Sequence, residues 1–116
     1  MNLKPTFCHK RLTYLPELPI WMKQLWCLDN RITSLPELPK CIHNIQCQMN
    51  ELTSLPELPE NLVEIQCWDN QIRSLPELPK GLKFIHCFEN RLTSLPELPT
   101  SLIHLDCSYQ LDIDTI

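Results

Sequence analysis

His86, His104 and Asp106 are the side chains of this sequence best suited by type to hold a metal. Two imidazoles and one carboxylate form the donor set of many zinc and non-haem iron sites. Pairing of a histidine with an aspartate across two strands is the plainer outcome of the same residues, so no metal or other cofactor is assigned. The chain has 7 cysteines, and Cys27, Cys47, Cys67, Cys87 and Cys107 recur at one constant phase. They show no C-x-x-C spacing, and thiols on parallel neighbouring strands point the same way rather than converging on a tetrahedral centre. Disulfides between them would demand unfavourable Cβ geometry. They therefore read as small buried hydrophobes, reduced as in a reducing compartment. Cys41 is off phase and is the expected exposed thiol. Glu17, Glu37, Glu57, Glu77 and Glu97 form a second ladder. It reads as a row of solvated turns, because a hard-cation site needs convergent oxygens. A single glycine leaves no glycine-rich phosphate loop, and no serine, histidine and acid stand in a catalytic context. No enzyme is expected.

The elements that must position these residues follow from composition and period. At 116 residues the chain is one domain. It has 11 prolines, and all but Pro5 fall in Leu-Pro-Glu-Leu-Pro units, which excludes long helices across most of its length. The net charge of −4 is well mixed and gives no footprint for nucleic acid or for an anionic membrane surface. MNLKPTFCHKRL has no apolar leader core, and no stretch is apolar enough for a membrane-spanning helix. The expected location is cytoplasmic, or the cytoplasm of a host after export by a dedicated secretion machine.

The chain repeats itself every 20 residues. One unit reads Leu62-x-x-Ile65-x-Cys67-x-x-Asn70-x-Ile72-x-x-Leu75-Pro-Glu-Leu78-Pro, with relatives starting at Met22, Ile42, Leu82 and Leu102. In LVEIQC, Ile65 and Cys67 alternate with Glu64 and Gln66, the period of a half-buried strand. Identical crossovers make successive strands parallel and adjacent, with Leu75 and Leu78 turned inward from a proline-stiffened return. Asn30, Asn50, Asn70 and Asn90 are placed to satisfy backbone groups in their own coil and the next. The pattern L-x-x-L-x-L/C-x-x-N-x-L resembles the leucine-rich repeat, in a short subtype similar to bacterial secreted effectors and to repeat proteins of giant viruses. The resemblance implies an α/β-type repeat solenoid. This would be a right-handed coil with a short parallel sheet, a polyproline-like or 3-10 convex side, and little or no α-helix. The expected organisation is a degenerate repeat over 1–11, regular repeats over 12–111 and a polar tail over 112–116. Gln110 in place of asparagine and Asp112 in place of leucine mark the end of the array. Thin caps at both ends point to end-to-end self-association or to further sequence.

Solvent-facing positions of the strand side hold Trp26, Leu28, Gln46, Gln66, Trp68, Phe84, His86, Phe88, His104, Asp106 and Tyr109. Aromatic residues that cluster on an exposed face mark a binding surface. The resemblance places partner binding on this concave sheet face. The expected function is protein–protein interaction with a protein partner, without nucleic acid or membrane. Two alternatives stand beside it. By resemblance to the effectors, the chain would be the substrate-recognition array of a larger ubiquitin-ligase-type protein. By residue type, it would bind metal through His86, His104 and Asp106.

Overall fold

A computed structural model describes residues 7–108 and 110 of the chain. Five strands form one parallel sheet in sequence order: β1 (Gln24–Trp26), β2 (Asn44–Gln46), β3 (Glu64–Gln66), β4 (Phe84–His86) and β5 (His104–Asp106). Each residue pairs with its repeat equivalent in the next coil: Leu25 with Ile45, Ile45 with Ile65, Ile65 with Ile85, and Ile85 with Leu105. The register is the sequence period made spatial. Any slip would turn the inward residue of every strand to solvent.

The coils close at proline corners. The amides of Met22, Ile42, Leu62, Leu82 and Leu102 donate to the carbonyls of Pro19, Pro39, Pro59, Pro79 and Pro99 at 3.1–3.3 Å. Proline presets the backbone of such a turn and offers no competing N–H. The described residues contain no α-helix, as expected, and the returns carry no regular helix or strand. No helix among them is long and apolar enough to cross a membrane.

The interior is a stack of identical rungs. Leu25, Ile45 and Ile65 are fully buried, as are Cys27, Cys47, Cys67 and Cys87. The asparagine ladder runs beside them. Asn70 accepts from the Leu52 amide of the preceding coil at 2.9 Å. Its Nδ2 donates to the carbonyls of Cys47 and Cys67 at 3.1 Å and of Trp68 at 3.3 Å. Asn50 and Asn90 repeat the pattern. Asn30 holds the worn first coil, accepting from Lys10 and Leu12 and donating to Phe7.

Three expectations need comment. Gln110 takes the ladder place of its rung: its Oε1 accepts from Leu92 at 2.7 Å and its Nε2 donates to Cys107 at 2.9 Å. The extra methylene still lets the amide reach the same groups. The rungs do not keep every thiol apart, since Cys87 and Cys107 bring their sulfurs together across adjacent strands. Their Cα atoms lie 4.7 Å apart, a separation that a disulfide spans, so adjacent rungs do not forbid the bond. The tail over 112–116, Thr6 of the worn repeat and Tyr109 lie outside the described residues.

Candidate functional site

The alternation that buries Ile65 must present Glu64 and Gln66 on the opposite face, and each strand from β1 to β4 has this half-buried, buried, half-buried pattern. Parallel register then lines up equivalent residues in rows across the sheet. Of the residues expected on this face, Trp26, Leu28, Gln46, Gln66, Trp68, Phe84, His86, Phe88 and Asp106 are half-buried and His104 is exposed.

Two pairs of rings come together. Trp68 and Phe88 stack with centroids 5.1 Å apart and planes 8° from parallel. His86 and His104 lie 4.8 Å apart, tilted by 38°. Phe84 pairs in register with Glu64 and His104 but joins neither ring pair at stacking distance. His86 and Asp106 are lateral neighbours. The Asp106 carboxylate is held by Ser108, whose hydroxyl donates at 2.8 Å and whose amide donates at 3.3 Å. These hydrogen bonds, assisted by the two nearby imidazoles, hold its pKa below the ordinary 3.8. The three residues do not form a metal site. Among the described residues no group of three or more histidines, cysteines, aspartates or glutamates is arranged to hold an ion. The aspartate is turned to Ser108 and the imidazoles lie one over the other.

The ladder thiols are shut away from chemistry. Burial pushes Cys27 and Cys67 up to about 12 and Cys47 well above its ordinary value, so they stay protonated. Cys41 is exposed, as expected.

A polar network on the face went unread in the sequence. Gln48 donates to Gln46 Oε1 at 3.2 Å, and Gln46 donates to Asn44 Oδ1 at 3.1 Å. Asn44 donates to Glu64 Oε1 through the longest link, 3.5 Å. From the other side the Trp68 indole donates to Gln66 Oε1 at 3.1 Å, and Gln66 donates to Glu64 Oε2 at 3.0 Å. Gln48 is only 7% exposed although it sits in an outward-facing row. The only hint in the sequence was the run of amides at corresponding places of neighbouring units.

The rim beyond the strands has its own geometry. Asp29, Met49, Asp69 and Glu89 all adopt φ of 56–59°, the left-handed region. The bend lets their amides donate to the next coil, as from Met49 to the Trp68 carbonyl at 3.0 Å. Asp tolerates this conformation, whereas Met49 and Glu89 hold it because the stacked coils impose it. At the first rung His9 pairs with Asp29 at 2.6 Å.

No protein-family model and no curated protein sequence matches the chain. Solved structures do. The leucine-rich-repeat domain of a Shigella effector aligns at 43% identity and a TM-score of 0.75, over 76% of this chain and 40% of that one. YopM from Yersinia enterocolitica aligns at 34% identity and 0.71, over 93% of this chain and 30% of its own. YopM from Yersinia pestis, a leucine-rich effector protein, aligns at 26% identity and 0.63, over 91% and 39%. The chain thus spans less than half the length of each. Stacked parallel rungs, an asparagine ladder and these alignments define a leucine-rich-repeat solenoid. Within that class the chain resembles the effector proteins of Shigella and Yersinia.

Proposed function

We propose that the chain is a protein-interaction module that takes its partner on the sheet face. The carrying observation is the Trp68–Phe88 stack, a half-buried aromatic platform on the outward face of the sheet. Large rings of this kind supply much of the binding energy at protein interfaces. Phe84, His86 and His104 extend the platform, with Trp26, Leu28, Gln46, Gln66 and Asp106 around it. The same reading covers a recognition array within a longer effector, since the aligned effector chains are about two to three times as long. Delivery to a host cytoplasm would follow from that kinship.

Affinity capture from a host lysate tests it, comparing the native chain with a Trp68→Ala/Phe88→Ala double variant. Loss of two central aromatics should reduce partner recovery by roughly tenfold or more. Equal recovery by both would overturn the placement of the site.

A further inference from the structure

The hydrogen bonds of the sheet face have a direction, and it is not arbitrary. A carboxylate accepts only, so both arms of the network must send their donors towards Glu64. One arm ends at the Trp68 indole, a group that donates only, and is closed. The other ends at Gln48, whose Nε2 is committed to Gln46. Gln48 Oε1 is left buried with no hydrogen-bond donor. A buried carbonyl of this kind destabilises the chain while it stays unpaired. Gln48 and Trp68 hold equivalent places in neighbouring coils, so Gln48 sits in the row of the aromatic stack, one coil before it.

The charge of the face has the same sense. From β1 to β5 no lysine or arginine occupies its outward rows or rim, which hold Glu64, Asp106, Asp29, Asp69 and Glu89. The lysines and arginines stand elsewhere, among them Lys23 and Lys83 just before strands and Arg31 and Arg91 beyond the ladder asparagines, and the only basic side chains in the outward rows are the imidazoles of His86 and His104.

We infer that the sheet face takes a basic protein segment, with one arginine donating to Gln48 Oε1 while its guanidinium lies against the Trp68–Phe88 stack. The inference rests on the interaction-module reading and names the chemistry of the partner. An arginine fits both demands at once, because its planar cation stacks on an aromatic ring and keeps N–H groups free at its edge. The surrounding carboxylates attract the rest of the segment, and salt weakens that attraction.

The test uses the whole chain and a short peptide alternating glycine and arginine. Binding is read from the indole and glutamine side-chain signals in ¹⁵N NMR, with Trp68 assigned through Trp68→Phe. The arginine peptide should move the Trp68 and Gln48 signals, and Gln48→Met should weaken binding about tenfold or more while the backbone spectrum stays folded. Replacing arginine by citrulline should weaken binding to the native chain, and replacing it by glutamate should abolish it. Equal binding of the glutamate peptide, or an unchanged affinity in a folded Gln48→Met chain, would overturn the inference. If the arginine peptide fails while the Trp68→Ala/Phe88→Ala variant still loses its captured partner, the basic segment is wrong and the interaction module stands.

Discussion

Leu52–Pro59 and Leu92–Pro99 are the same eight residues, LTSLPELP, in two places. In the earlier copy Leu58 is 8% exposed and Leu55 is partly buried against the core. In the later copy Leu98 and Leu95 are both 42% exposed. The local fold is the same: each copy ends in a corner closed on its last proline, Leu62 to Pro59 at 3.1 Å and Leu102 to Pro99 at 3.1 Å. The difference is the neighbour. A solenoid coil buries its leucines between two other coils, and among the described residues the later copy has fewer atoms stacked beyond it. The same contrast runs along the sheet, where Ile65 is fully buried and Leu105 is 36% exposed. Identity of sequence therefore does not give identity of stability.

The largest test of that contrast is a pair of matched truncations. Leu58→Ala should destabilise the chain by about 2–5 kcal/mol, the range for a buried leucine that leaves a cavity. Leu98→Ala should cost less by at least about 1 kcal/mol, since its side chain is already half in water. Urea unfolding of both variants measures the gap, and equal losses would show that the last coil is as tightly covered as the third.

The ladder amides sharpen the comparison at a smaller scale. Asn70→Ala strips the Leu52 amide of its acceptor in a site where Asn70 is 2% exposed, while the carbonyls of Cys47, Cys67 and Trp68 keep donors from Asn50, Asn90 and Met49. One buried group left unpaired costs about 1–3 kcal/mol, and a loss towards the upper end of that range is expected. Gln110→Ala breaks equivalent bonds at a wetter rung, where water can replace the lost partner, and about 1 kcal/mol is expected. Thermal melts of the two variants rank them.

The smallest effect belongs to Asp106 on β5, where β2 and β3 carry Gln46 and Gln66 instead. Its folded pKa is depressed, so its stabilising contribution is present above 3.8 and is lost as pH falls through the lower folded value. Carbon-detected NMR titration should find its midpoint below 3.8, and Ser108→Ala should raise it by removing the hydroxyl hydrogen bond while the backbone amide bond stays. A midpoint unmoved by Ser108→Ala would assign the depression to the amide of residue 108 and the imidazoles of His86 and His104.

Much of the scaffold is legible in the sequence because each coil states its own rules. The period set the parallel register, the prolines set the corners, and alternation put Ile65 and Cys67 inside with Glu64 and Gln66 outside. The aromatic neighbours Trp68 and Phe88 followed from the same arithmetic. Their stacking did not, nor did the burial of Gln48, because both depend on rotamers chosen against a coil 20 residues away. The left-handed bend at Met49 and Glu89 was hidden for a related reason, since neither residue favours it alone. A Cys87–Cys107 bond was argued against from Cβ geometry, whereas the 4.7 Å between the Cα atoms permits it.

By itself, then, the sequence determined the coil: which residues face in, where the chain turns, and what repeats. Those are properties of a residue and its near neighbours, fixed by proline geometry and by the two-residue period of a strand. Tertiary structure decided what one coil does to the next: it leaves Leu98 half in water while burying Leu58, and points both arms of the amide network towards Glu64. Those outcomes are set by contact and by hydrogen-bond direction between coils, and identical eight-residue segments can receive different answers.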